Sequence, residues 1–229
     1  MSKRLLRRGV RGRRAFFGHA AALLSGALLA RRAAAAPDAY PQTLAAVARA
    51  HQRVTDAHRR YLAFSKRAAQ DGYRGIAYMF AAFAASEGVH ARNFKALIVQ
   101  LGGRAEVGPT TIAPATTKQN LIAAVDDEID SIESLYPTLL ERLLPEGNAD
   151  AIRSVQFAWE SERQHRDIMQ KIRRYSPILF ERVAKEIDDK TGLYFVCQTC
   201  GFTLNKVPNT ACRICGSAPE QYRQVQVPA

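Results

Sequence analysis

The stretch Ile152-Arg153-Ser154-Val155-Gln156-Phe157-Ala158-Trp159-Glu160-Ser161-Glu162-Arg163-Gln164-His165-Arg166-Asp167-Ile168-Met169 decides the fold of this chain. Ile152, Val155, Trp159, Met169 and Ile172 recur with the 3.6-residue period of a helix that buries one face. Glu162 and His165 stand on the same stripe, where that period asks for apolar groups. A carboxylate or an imidazole buried without a partner is costly. A bound cation removes the objection, and residues three apart on a helix project from one face.

Working outward, three more segments carry the same period. The first, 42–70, has the stripe Leu44, Val47, His51, Val54, His58, Tyr61, Phe64. The second, 73–101, has Ile76, Phe80, Phe83, Glu87, His90, Phe94, and Gly102-Gly103 ends it. The third, 118–143, has Leu121, Val125, Glu128, Ile132, Leu135, Leu139, with a kink expected at Pro137. A turn at 145–148 leads into the fourth, 149–174. The Pro/Thr-rich connection 104–117 is long enough to cross the end of a bundle. Four helices with one long middle connection describe a ferritin-like four-helix bundle, so the chain is read as mainly α. Glu87, His90, Glu128, Glu162 and His165 are its candidate metal ligands. Glu133, Glu160 and Asp56 lie off the stripes and read as solvated charges.

All four cysteines lie near the C-terminus, as Cys197-Gln198-Thr199-Cys200-Gly201 and Cys212-Arg213-Ile214-Cys215-Gly216. Two Cys-x-x-Cys pairs, each followed by glycine, can close a tetrahedral site around one metal ion. The glycines let the backbone turn so that its N–H groups point at sulfur. Disulfides are the competing reading in an oxidising compartment. Zinc is an alternative to iron, because the same ligands accept it.

The first 36 residues read as an export signal. A basic region precedes the apolar run 20–30, and small residues at 33–36 precede Pro37. Arg13-Arg14-Ala15-Phe16-Phe17 is similar to the twin-arginine signal, which carries folded proteins across the bacterial inner membrane. The apolar run is too short for an ordinary membrane span, so contact with a membrane is expected only through this segment, as an anchor if it is not cleaved. The segment also accounts for most of the basicity. It holds nine of the basic residues and no acid; removing these nine from the formal +12 leaves +3 for the remainder. Nucleic-acid binding is therefore not expected.

Over residues 41–226 the sequence resembles the rubrerythrin family. The resemblance rests on Tyr61-Leu62-Ala63-Phe64 in the first helix, Glu87-Gly88-Val89-His90-Ala91 in the second, and Asn120-Leu121-Ile122-Ala123 with Glu128 and Tyr136-Pro137 in the third. Glu162-Arg163-Gln164-His165 carries it in the fourth. Cys197 to Cys215 resemble a rubredoxin-type iron domain, with Tyr194, Phe195, Phe202 and Tyr222 as its aromatic core. Beyond the export signal read at 1–36, the resemblance implies a ferritin-like bundle at 37–176, a short helix and linker at 177–192, and a small rubredoxin-like metal-binding domain at 193–229. It implies iron in both sites: one ion held by four cysteines, and a di-iron or single-iron site in the bundle. The implied activity is reduction of hydrogen peroxide to water at the bundle site, with electrons relayed from the cysteine site. Tyr61 and Tyr136 match tyrosines beside the family's di-iron site. A homodimer, with the cysteine domain of one chain near the bundle of the other, and an unidentified electron donor are the implied partners.

The ligand set departs from the family's at two places. The first-helix glutamate aligns with Val54, and a second third-helix glutamate aligns with Ser131. Five candidate ligands remain, enough for one well-held ion and lean for two. His51 and His58 flank Val54 on the same stripe, and either imidazole can fill the gap; His58 is the preferred substitute. An iron peroxidase and a catalytically degenerate homologue, acting as electron carrier or metal-binding protein, both fit these residues.

Overall fold

The computed structural model describes residues 39–173, 180–190 and 192–228. The expected export signal and its cleavage site lie outside the described residues. Helix α1 spans Pro41–Gln70, α2 Arg74–Gln100, α3 Thr117–Asp130, α4 Tyr136–Leu143, α5 Ala149–Arg173 and α6 Phe180–Lys190. A three-stranded antiparallel sheet follows, with β1 at Phe195–Cys197, β2 at Thr203–Leu204 and β3 at Tyr222–Gln224, in the order β2-β1-β3. Among the described residues, no helix is long and apolar enough to cross a membrane.

Local chemistry sets the ends of the long helices. Gly72, with φ +89°, turns α1 into α2, and the N–H of Tyr73 returns to the carbonyl of Ala68. Asp71 in that turn accepts from the N–H and hydroxyl of Thr117 and so ties it to the start of α3. The connection between α2 and α3 runs along α1, held by the Gly108 N–H on Gln52 and by the Thr110 hydroxyl on Asp56. Asp56 is thereby part of the strap holding this connection, rather than a solvated charge. Thr116 and Gln119 close a capping box at the start of α3.

The third segment is not one continuous helix. Residues Ser131–Leu135 form a π-helical turn between α3 and α4. The expected kink at Pro137 takes this form for a physical reason. Proline lacks the N–H a helix needs, and its ring collides with the carbonyl four residues back; widening the preceding turn relieves both. The carbonyl of Ile132 in the widened turn accepts the indole N–H of Trp159 at 3.1 Å.

Along each long helix the core is apolar, then polar, then apolar. One cluster gathers Phe64, Phe80, Phe83, Leu121, Val125 and Met169; the other gathers Val47, Val54, Phe94, Leu139 and Val155. Glu87, His90, Glu128, Glu162 and His165 are all buried, at 0–3 % exposure, at the positions between them.

The cysteine domain rests on the bundle of its own chain. Ser86 donates to the carbonyl of Gly201 at 2.7 Å, Arg92 to that of Gln198 and Asn93 to that of Thr199, each at 2.8 Å. The Thr203 N–H donates to Gln164, whose amide donates back to the Thr203 carbonyl. Tyr78 and Tyr194 meet edge to face with ring centres 5.0 Å apart. Gly201 has φ +83°, and a Cβ there would lie 2.3 Å from Nε2 of His90. Both its turn and its position against α2 require glycine. Ser86→Ala leaves the Gly201 carbonyl buried without this donor. The expected cost is roughly 1–3 kcal/mol, read as a lower thermal midpoint; an unchanged midpoint would show that the contact contributes nothing to docking.

Candidate metal centres

Two sets of side chains gather ligand atoms within 4.8 Å of one another in the bundle: Glu87, Glu128 and His165, and Glu87, His90 and Glu162. They share Glu87. Helix α2 supplies Glu87 and His90, α3 supplies Glu128, and α5 supplies Glu162 and His165. Each pair is three residues apart, which places both members on the buried face.

Both histidines are held from outside the bundle. Nε2 of His90 donates to the carbonyl of Cys200 at 3.0 Å, while Nδ1 faces Oε2 of Glu87 at 3.2 Å. Nε2 of His165 lies 3.5 Å from the Thr203 hydroxyl, while its Nδ1 faces Oε1 of Glu128 and Oε1 of Glu87 at 3.5 and 3.6 Å. In both cases the cysteine domain holds the outer nitrogen and Nδ1 is turned to the carboxylates. That is the usual way a protein fixes a metal-binding imidazole.

Two tyrosines close the polar layer. Tyr61 donates to Oε1 of Glu128 at 2.7 Å, and Tyr136 donates to Oε1 of Glu162. Both rings are buried, at 2 % and 0 % exposure. Burial and the adjacent carboxylates push both phenols well above their ordinary range, so they stay protonated.

The electrostatics without metal are unbalanced. Burial, with the charges of Glu128 and Glu87, pushes Glu162 well above the carboxylate range. Burial also disfavours charge on Glu87, but His90 and His165 outweigh it and hold Glu87 down at about 2. Burial likewise opposes a charged His165, yet Glu128 and Glu87 raise it to about 9. Glu87 Oε1, Glu162 Oε2 and His165 Nδ1 are buried and lack hydrogen-bond partners. Three unpartnered ligand atoms in one polar pocket, with carboxylate and imidazole chemistry, fit a divalent transition-metal ion.

The four cysteines form the second centre. They are free thiols rather than disulfides, and all four Sγ atoms gather in one group. Sγ of Cys197 lies 3.6 Å from that of Cys215, and Cys200 lies 3.5 Å from Cys212. Metal–sulfur bonds of about 2.3 Å make a tetrahedron with edges of about 3.8 Å, close to these separations. Gly201 and Gly216, both with positive φ, turn the two knuckles. Backbone N–H groups of Thr199 and Cys200 point at the sulfur of Cys197, that of Phe202 at Cys200, and that of Cys215 at Cys212. Hydrogen bonding between the closely packed thiols pushes Cys200 up and Cys212 down.

His58 is not placed with the bundle ligands. Its Nδ1 donates to the carbonyl of Ala84 at 2.7 Å, and its ring lies against Gly88, outside both groupings. The backbone of α2 claims the imidazole that the sequence offered as a substitute ligand. His51 is buried beside Lys95, also outside both groupings. Sequence reasoning missed Arg53. Its Nε and Nη2 donate to the Ser131 hydroxyl at 3.0 and 2.9 Å, and Nη2 also donates to the carbonyl of Asp127 at 2.7 Å. The available signal was its position next to Val54, one residue off the apolar stripe.

A helical bundle with carboxylates and imidazoles on three of its helices, joined to a four-cysteine knuckle domain, defines a ferritin-like metalloprotein with a rubredoxin-like appendage. A family model described as Rubrerythrin matches residues 47–173. The chain belongs to the rubrerythrin family, which binds iron at a bundle site and at a cysteine site, and this chain has a Glu/His grouping in its bundle and a four-cysteine grouping beyond it. It is 30% identical over 169 residues to Rubrerythrin-2 of Clostridium acetobutylicum, spanning 73% of this chain and 88% of that protein. It is 31% identical over 163 residues to Nigerythrin of Nitratidesulfovibrio vulgaris, spanning 70% and 75%. The solved structure of fully reduced, all-ferrous nigerythrin superposes with a TM-score of 0.66 at 25% identity, over 80% of this chain and 86% of that one. The Desulfovibrio desulfuricans bacterioferritin, at 21% identity and a TM-score of 0.60, shares the bundle fold.

Glu162→Ala and His165→Ala are each expected to lower bundle metal while the cysteine site keeps its own. Metal analysis beside far-ultraviolet circular dichroism checks this; unchanged bundle metal in either variant would remove that residue from the site.

Proposed function

We propose that this protein reduces hydrogen peroxide to water at the bundle centre, with electrons arriving one at a time through the cysteine centre. The observation that carries this reading is the hydrogen bond from His90 to the carbonyl of Cys200. A ligand residue of one centre touches a ligand residue of the other, so a short covalent and hydrogen-bonded route joins them within one chain. Iron at the two centres supplies the redox change. Reduction of one peroxide takes two electrons and two protons and yields two waters. The electrons come from a separate reductant protein or small carrier, acting on the cysteine domain.

The chain's own residues supply the rest. Tyr61 and Tyr136 hold protons at Glu128 and Glu162, within the polar layer. The cavity lined by Arg53, Tyr61, Glu87, Glu128, Ser131 and Glu162 is about 10 Å³, room for roughly one water. Bulk water is thus kept away from a site that admits only a small reactant. The family's homodimeric habit is compatible with this arrangement, because the electron route needs no second chain.

The second reading, an electron carrier with an inactive bundle, draws support from Val54 and Ser131. Valine cannot bind metal, and the serine hydroxyl is taken by Arg53. The two readings separate in one experiment. Residues 37–229 are loaded with iron, reduced without oxygen and mixed with hydrogen peroxide, and the red colour of the oxidised cysteine site is followed. The peroxidase reading expects the colour to return at least about tenfold faster in the wild type than in His90→Ala, which loses a ligand and its link. Equal rates would favour the carrier, and a colourless, iron-free domain would indicate zinc.

We also propose that the protein works outside the cytoplasm, exported already folded by the twin-arginine route. Metal loading before export is the physical benefit. Arg13→Lys with Arg14→Lys is expected to leave the full-length, uncleaved protein in the cytoplasm of a bacterial host; normal processing and export would overturn the assignment.

A further inference from the structure

We infer that Arg53 stands in for one metal ion, so that the bundle takes a single ion where a complete family ligand set would take two. The inference rests on the reading that the bundle binds iron and concerns how many ions it holds.

The first observation is where the guanidinium sits. Arg53 reaches the edge of the polar layer and lines the same small cavity as Glu87, Glu128 and Glu162. It feels the charges of Asp127, Glu162 and Glu128. It is fixed there by the three hydrogen bonds to Ser131 and Asp127 described above. Ser131 is thus the docking point of a cation at the place where the family resemblance puts a carboxylate. A glutamate there would bind metal. The serine instead accepts two N–H groups of an arginine.

The second observation is the lack of a ligand on α1. Val54 is 1 % exposed and packs in the apolar cluster with Phe94 and Leu139. Among the described residues, neither bundle grouping includes a residue of α1. The helix that should complete the second ion's shell offers a methyl-bearing side chain and, next to it, a fixed positive charge.

Charge decides between one ion and two. Asp127 is approached by Arg60 at 2.9 Å and by Arg53 at 3.7 Å, so these three together carry one net positive charge. Against that single positive charge, at the partly exposed edge of the layer, stand the buried carboxylates of Glu87, Glu128 and Glu162. Neutral histidines and one divalent ion then bring the layer to zero. A second divalent ion would leave two uncompensated positive charges in a core closed to solvent, which is strongly unfavourable. Arginine suits the part, because it does not lose its proton and its planar donors match the oxygens around it.

The test counts ions. Residues 37–229 are reconstituted with ferrous iron without oxygen, and iron is measured per chain, with the colour of the cysteine site as internal reference. The wild type is expected to bind about two irons, one in each centre. Electron paramagnetic resonance after mild oxidation should then show an isolated ferric ion in the bundle, not a spin-coupled pair. Arg53→Lys, which keeps the charge, should keep this count. The triple variant Val54→Glu, Arg53→Met, Ser131→Glu should gain about one further iron and show the coupled pair. Two bundle irons in the wild type would overturn the role of Arg53 and leave the iron site standing. So would a triple variant that folds, fills its cysteine site and gains no iron. No bundle iron in the wild type would overturn both readings together.

Discussion

The rest of this structure depends on the burial of five ionisable side chains in the middle of an apolar core. Glu87, His90, Glu128, Glu162 and His165 are closed off from water, and partners within the protein satisfy only part of them. Left to themselves, three carboxylates at this spacing resist joint ionisation, as the upward shift of Glu162 shows. A cation turns the same repulsion into a binding site. The helices that carry these residues also carry the apolar clusters on either side, so folding the core and building the site are one process.

Much of this was legible in the sequence because helical periodicity is a strong signal. A glutamate or histidine on an otherwise apolar stripe stands out, and all five ligand candidates were found that way. The cysteine knuckles were legible through spacing alone. Other features were not, for physical reasons. Arg53 lies one residue off the stripe, where a helical wheel assigns a long basic side chain to solvent; only its length and the gap at Val54 and Ser131 bring it inward. His58 lies on the stripe, yet the Ala84 carbonyl claims it, a contact between helices that periodicity cannot supply. The break in the third segment was expected at Pro137 but falls over the preceding turn, because the backbone adjusts where the lost hydrogen bond and the clash arise.

The position of the cysteine domain links the two centres mechanically. Its carbonyl at Cys200 and its hydroxyl at Thr203 face the outer nitrogens of the two ligand histidines. The domain therefore acts as the outer shell of the bundle site. Tyr194, Val196 and Val225 belong to the same apolar cluster as Phe80 and Phe83, so whatever loosens the cysteine domain also loosens the hold on the two imidazoles. Gly201 is the point of closest approach, and its missing side chain is what lets the two surfaces meet.

The π-helical turn at Ser131–Leu135 also changes the phase of the helix that contains it. In a regular helix each residue advances about 100°, so Glu128 and Tyr136, eight residues apart, would point about 80° away from each other. A π turn absorbs one extra residue without advancing the helix by that residue's full share. The downstream half is rotated back by most of one residue's share, which brings the two side chains close to a common azimuth. That shared azimuth lets Glu128 present its carboxylate to His165 and Tyr136 present its hydroxyl to Glu162 on one facing helix. The widened turn is a phase correction: it aligns two halves of a helix whose spacing alone would have left them out of step.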